Sequence, residues 1–227
     1  MSTLIVIAKT PVPGRVKTRL TPPFTAREAA LLAAASLADT LQAARQTDAG
    51  HRILALDGEP RPSWQDSFTV VPQVSGTLDR RLAAAFQAAT RLDPGPVLLI
   101  GMDTPQITPV LLHSCLPGDE EDATLGVADD GGFWCLGFRR PRHQDFESLL
   151  FDVPMSTDHT GADQLRRLRQ AGLRVRLTPT LRDVDVFEDA EHVSTLAPQT
   201  RPPRTPSPAL GPPAHRTPKP SATRNAR

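Results

Sequence analysis

The sequence predicts an α/β protein with a mostly parallel central sheet and helices on both faces. Three observations lead there. The run Val97-Leu98-Leu99-Ile100 has no polar member, as expected of a strand buried on both faces. Strand-like and helix-like patterns alternate from the start of the chain to Cys115. The first apolar run, Leu4 to Ile7, opens into a loop rich in cations, proline and glycine, at the carboxyl end of a strand, where open α/β sheets hold ligands.

The elements follow in order. After the Leu4–Ile7 strand, Thr25-Ala26-Arg27-Glu28 is a capping box that starts a long Ala/Leu helix running to about Gln46. Arg52 to Leu56 reads as the second strand and Phe68 to Val71 as a weaker third, with Asp57-Gly58-Glu59-Pro60 turning the chain between them. A helix over about Leu78 to Arg91 is broken by Asp93-Pro94-Gly95-Pro96 before the Val97 strand. Thr108-Pro109 supplies an N-cap and a first-turn proline for a short helix to Cys115. Strands are expected at Ala123–Ala128 and Phe133–Gly137, a helix at Thr160–Gln170, and a last strand at Leu173–Leu177. A final helix over about Phe187–Leu196 follows Asp183-Val184-Asp185.

The 227 residues suit one large domain with a tail. From Pro198 onward there are six basic residues, no acid and nine of the 24 prolines, too little apolar surface to offset the entropy of ordering. We therefore expect a folded domain over residues 1–197 and a disordered Pro/Arg-rich tail over 198–227. Without the tail, 20 bases face 25 acids, a balance of about −5 that disfavours nucleic acid as a partner of the folded part. No apolar run approaches the roughly 18 residues of a membrane span. The N-terminus has no basic region before its first apolar run, so no signal peptide is expected. Two cysteines, outside any C-x-x-C pair, suit a reducing, cytoplasmic setting. Zinc ligand spacing and a G-x-S-x-G nucleophile elbow are both missing.

Four segments carry candidate chemistry. The loop after the first strand, Ala8 to Leu20, gathers Lys9, Arg15, Lys17 and Arg19 around Gly14. Lys9 and Lys17 are the only lysines in residues 1–197, which points to a need for compact ammonium charges there, most naturally on phosphate. It is not a Walker A loop, whose glycine spacing is absent. Asp103, the first charge beyond the Val97 strand, either caps the Thr104-Pro105 turn or holds a divalent cation on a phosphate. Asp129-Asp130-Gly131-Gly132 is either a hairpin turn or a ligand-contacting loop. Asp183 and Asp185 project to one side if extended, so one of them is a second carboxylate for the same cation or a helix cap.

Five ordered stretches carry a resemblance: Ala8 to Leu20, Gly101-Met102-Asp103-Thr104-Pro105, Ala128 to Phe133, Val153-Pro154-Met155-Ser156-Thr157 and Asp183-Val184-Asp185. Together they resemble a bacterial glycosyltransferase-A-like family of poorly characterised proteins, related to 2-phospho-L-lactate guanylyltransferase and the molybdenum-cofactor nucleotidyltransferases. The resemblance implies a Rossmann-like nucleotide-diphospho-sugar transferase (GT-A) fold. It implies a metal-dependent transferase acting on a nucleotide sugar, or alternatively a nucleotidyltransferase using a nucleoside triphosphate, with a small-molecule acceptor. A nucleotide-binding protein without turnover is the third reading. By the same resemblance Lys9, Gly14, Arg15, Lys17 and Arg19 touch the nucleotide phosphates, and Asp103 with Asp185 holds Mg²⁺ or Mn²⁺. Asp129, Asp130, Gly131 and Gly132 line the sugar or acceptor side, with the two aspartates as the catalytic candidates. The departures lie on that side: Phe133 or Trp134 stands where the family has Tyr, Met155 where it has Trp, and Val186-Phe187 where Thr-Pro follows the Asp-Val-Asp.

Overall fold

The structure, a computed structural model, describes residues 1–182. Asp183, Asp185, the helix expected at Phe187–Leu196 and the tail lie outside the described residues. Seven strands form one sheet: β1 (Thr3–Lys9), β2 (His51–Asp57), β3 (Thr69–Pro72), β4 (Val97–Ile100), β5 (Ala123–Val127), β6 (Phe133–Phe138) and β7 (Val175–Leu177). Their spatial order is β3-β2-β1-β4-β6-β5-β7. β1 pairs in parallel with β2 and β4, β2 with β3, and β5 with β7.

One strand runs the other way. β6 is antiparallel to both β4 and β5. The reason is the length of its connection: a parallel crossover needs a dozen or more residues, and only Ala128 to Gly132 separate β5 from β6. The Asp-Asp-Gly-Gly loop is therefore a hairpin turn, closed by Gly131 N–H to Ala128 O (3.0 Å) and Ala128 N–H to Gly132 O (3.0 Å).

Helices cover both faces. On one side α1 (Ala26–Gln46), the short α2 (Pro62–Gln65) and α4 (Pro109–Cys115) pack Leu37, Leu41 and Leu112 against Leu4, Leu54, Leu98 and Ile100. On the other, α3 (Leu78–Leu92), α5 (Phe146–Leu150) and α6 (Thr160–Gln170) pack Phe86, Phe146 and Leu168 against Ile5, Leu99, Leu125 and Phe138. Every residue of β4 is buried, which is why its sequence carries no polar member. Phe86, Phe138 and Phe146 meet with ring centroids 5.0–5.4 Å apart, each such pair contributing about 0.5–1.5 kcal/mol beyond its area. The Thr25–Glu28 capping box forms as expected, with Glu28 Oε2 accepting from Thr25 N–H at 2.8 Å. α2 and α5 were not expected; at four and five residues they are too short for a helical period to register in sequence.

Candidate active site

The carboxyl ends of β1, β3 and β4 open into a cavity of about 550 Å³. Its rim is the loop after β1. Val16 and Leu20 bury their side chains and pin this loop to the core, which leaves Lys9, Gly14, Arg15 and Arg19 exposed between and beside them. Gly14 takes φ +77°, a left-handed conformation that a side chain would strain. Lys17 adopts φ +50° where a short 3₁₀ turn, Thr18–Leu20, begins. Lys9, Arg15, Lys17 and Arg19 all line the cavity.

Asp103 faces them from the loop after β4. Its neighbours hold it there: Met102 and Thr104 are buried, Ser36 Oγ donates to Met102 O at 2.7 Å, and Met102 Sδ lies 3.3 Å from Lys9 N. The Asp103 carboxylate, 38% exposed, accepts from Lys17 Nζ at 2.5 Å. Asp103 thus faces the cationic loop as part of a paired site. Gly101, at the end of β4, would carry a Cβ into open space, so nothing in the protein demands a glycine there.

Two residues that sequence reasoning missed, Gln73 and Arg81, complete this half together with Gly76. Gln73 donates to Ala8 O (2.8 Å) and Ala55 O (2.9 Å), tying together the ends of β1 and β2. Arg81 binds Gln73 Oε1 (3.3 Å), Asp57 Oδ2 (2.9 Å) and Gly76 O (3.0 Å). Gln73, Gly76 and Arg81 line the same cavity, and Gly76 sits at φ +118°. Only Ser75-Gly76 left a signal in the sequence, a glycine beside a polar residue ahead of a helix; the pairing of Gln73 with Arg81 depends on the register of β3.

A second lobe of about 410 Å³ continues from the first, sharing Ile7, Arg19, Leu78, Gly101, Asp103 and Ser156 with it. Asp130, Gly132, Phe133, Thr157 and Asp158 line its far side. Asp130 Oδ1 accepts from Gly132 N–H at 2.9 Å, so the side chain closes its own turn. Asp129 is directed elsewhere: its Oδ2 meets Arg182 Nε at 3.3 Å, and it lines neither lobe. Gly131 and Gly161 serve packing. A Cβ on Gly131, itself at φ +86°, would lie 1.8 Å from Asp158 O, and one on Gly161 would lie 2.5 Å from Gly132 O. Gly161 N–H donates to Gly131 O at 2.8 Å, which locks the hairpin onto the start of α6.

Ser156, also lining both lobes, is held at φ +62°. Buried Thr160 fixes that turn: its Oγ1 donates to Pro154 O (2.8 Å) and accepts from Thr157 N–H (3.0 Å). Backbone in this sparsely populated region persists where its surroundings over-determine it, a pattern common at binding sites. The Asp158 carboxylate is held below the usual range by its hydrogen bond with His159 Nδ1 at 2.8 Å.

The residues fit a divalent cation of the kind that takes one or two carboxylates and completes its shell with phosphate oxygens and water. Asp103 offers that hard oxygen at the cavity wall. Among the described residues no cluster of three His, Cys, Asp or Glu side chains could hold a metal by protein donors alone. Nor is any described helix long and apolar enough to cross a membrane.

Solved structures share this α/β architecture. A candidate nucleotide-diphospho-sugar transferase from Desulfovibrio desulfuricans G20 superposes with a TM-score of 0.78 at 24% identity, covering 86% of this chain and 87% of that one. The Rv0371c protein of Mycobacterium tuberculosis H37Rv, solved with manganese, gives 0.50 at 22% identity over 85% and 96% of the two chains. The 2-C-methyl-D-erythritol 4-phosphate cytidylyltransferase of Thermus thermophilus gives 0.52 at 19% identity over 87% and 100%. A search of curated proteins finds no match. The profile of a bacterial family of uncharacterized proteins, DUF2064, matches residues 40–157, and the chain belongs to that family.

Proposed function

We propose that this protein is a metal-dependent transferase acting on a nucleotide-activated donor, a nucleoside diphosphate sugar. The observation that carries the reading is the convergence of Lys9, Arg15, Lys17, Arg19 and Asp103 on one cavity above the ends of β1 and β4, with a second lobe adjoining it. The combined space is of the size that small-molecule sites occupy. The fold shared with a candidate nucleotide-diphospho-sugar transferase and with a manganese-bound protein supports the same reading.

In this reading the loop cations bind the donor phosphates and neutralise the charge that builds on the departing diphosphate. Asp103, together with Asp185, holds Mg²⁺ or Mn²⁺, which when bound supplies Lewis-acid stabilisation of that diphosphate. The sugar and acceptor occupy the second lobe, where Asp130 is the carboxylate placed to accept a proton from an acceptor hydroxyl. Asp158, its acidity raised by His159, is a weaker base than an ordinary carboxylate. Asp129, turned toward Arg182, contributes to shaping the hairpin.

The runner-up, nucleotidyl transfer from a nucleoside triphosphate, is favoured by one observation, the shared fold with a cytidylyltransferase. A thermal-shift panel separates the two. Nucleotide sugars and triphosphates are each tested with Mn²⁺ and with chelator. A donor present at about 100 times its Kd stabilises by about 2.7 kcal/mol, a rise of several degrees. Metal-dependent stabilisation by one nucleotide sugar, followed by release of nucleoside diphosphate, is the expected result. Preference for a triphosphate with pyrophosphate release moves the assignment to nucleotidyl transfer. Stabilisation without any metal-dependent product leaves a binding module, and no shift with any of them refutes the phosphate site. Asp103→Asn should lower turnover by about 10²-fold or more in protein that circular dichroism shows to be folded, with some loss of Tm because Lys17 loses its carboxylate partner.

A further inference from the structure

We infer that Lys17 is a built-in counter-cation for Asp103, which excludes the divalent metal from the donor-free site and yields its place when donor phosphates arrive. The inference rests on the reading of Asp103 as the metal-binding carboxylate. The contact itself is direct, Lys17 Nζ to Asp103 Oδ1 at 2.5 Å. A divalent ion approaches a carboxylate oxygen to about 2.0–2.1 Å, so it needs the space the ammonium already fills. On the other carboxylate oxygen the two cations would still lie within a few ångströms and repel.

Lys17 is not a long surface side chain that meets Asp103 in passing. Its side chain is only 5% exposed. Its backbone stands at φ +50°, between the exposed Gly14–Arg15 segment and the 3₁₀ turn anchored by buried Leu20. The choice of lysine is also informative, because residues 1–197 are otherwise arginine-rich and hold one other lysine. A compact ammonium can occupy a metal-sized place on one oxygen, whereas a planar guanidinium spreads across two. The same cavity offers Lys17 an alternative partner. Donor phosphates bound among Lys9, Arg15 and Arg19 would lie within reach of its ammonium. Metal and donor therefore enter together, and binding of each favours the other.

The test measures Mn²⁺ binding by electron paramagnetic resonance, without any assay of turnover. Wild type, Lys17→Met, Lys17→Gln, Asp103→Asn and the double variant K17M/D103N are titrated with Mn²⁺ alone, then with inorganic pyrophosphate added. The uncharged Lys17 variants should bind Mn²⁺ roughly tenfold more tightly than wild type, and pyrophosphate should narrow that gap. The gain should vanish in the double variant. If K17M and K17Q bind Mn²⁺ no better than wild type while D103N loses binding, the counter-cation role is overturned and the metal role of Asp103 stands. If D103N changes Mn²⁺ affinity in neither background, the metal reading fails and takes this inference with it. Circular dichroism of each variant establishes that it is folded, and two uncharged replacements guard against an effect peculiar to one side chain.

Discussion

Gly131, in the hairpin beside the cleft, and Gly101, which lines it, should respond to alanine in opposite ways. At Gly131 the added Cβ would meet Asp158 O at 1.8 Å, and the residue stands at φ +86°. Holding an L-residue in the left-handed region costs about 1–2 kcal/mol. Relieving the clash pushes the hairpin off α6 and forfeits the Gly161 N–H to Gly131 O bond, about 1 kcal/mol more. At roughly 2–4 °C per kcal/mol for a chain of this size, Gly131→Ala should lower Tm by about 4–12 °C. At Gly101 the Cβ meets nothing within 4 Å and φ is not positive. Gly101→Ala should leave Tm within a degree or two of wild type, or raise it slightly by restricting the unfolded chain. It places a methyl in the cleft shared by both lobes, so donor-induced thermal shifts should shrink. Differential scanning fluorimetry with and without donor reads both effects. A Gly131→Ala protein as stable as wild type would refute the packing account, and a Gly101→Ala protein with an undiminished donor shift would refute the placement of the ligand over β4.

Two further predictions concern the edges of the site. Thr160→Val keeps the shape but strands Pro154 O and Thr157 N–H, which should cost about 1–3 kcal/mol in urea unfolding and weaken donor binding by releasing Ser156; unchanged values of both would count against Thr160 as the brace. At the outer strand, Arg174 holds Asp122 below the usual carboxylate range by a side-chain and a backbone hydrogen bond, while Gly118 N–H and then Arg176 do the same for Glu121. Because both folded-state pKa values are lowered, their stabilisation is present above the ordinary carboxylate range and is lost as pH falls through the lowered values. The urea midpoint should fall as pH drops below the ordinary carboxylate range, and the slope should flatten in an R174Q/R176Q variant; equal slopes in the two proteins would exclude these pairs as its source.

The elements were legible where local chemistry is self-sufficient. Val97–Ile100 announced a buried strand through its lack of polar residues, and Thr25 with Glu28 announced a helix start through a pairing four residues wide. The cationic loop and Asp103 were legible as separate features because each follows a readable strand. Their contact was not, since the parallel pairing of β1 with β4 is what brings the two loops together. Gln73 and Arg81 escaped notice for the same reason: each looks like an ordinary polar residue until strand register aims it at the ends of β1 and β2. The two adjacent aspartates illustrate the remaining gap. Asp129 and Asp130 are chemically identical in sequence, yet turn geometry sends one to Arg182 and the other to the cleft.

The reversed strand β6 gives the cleft two different kinds of wall. The wall bearing the loop cations hangs from the outgoing ends of parallel strands, each followed by a long excursion that a helix must complete. The opposite wall hangs from the incoming end of β6 and the five-residue turn before it. Exchange of that turn, residues 128–132, leaves every crossover and every residue of the cationic loop in place. Sequence change in this wall, Gly131 apart, is therefore uncoupled from the wall that carries the charge.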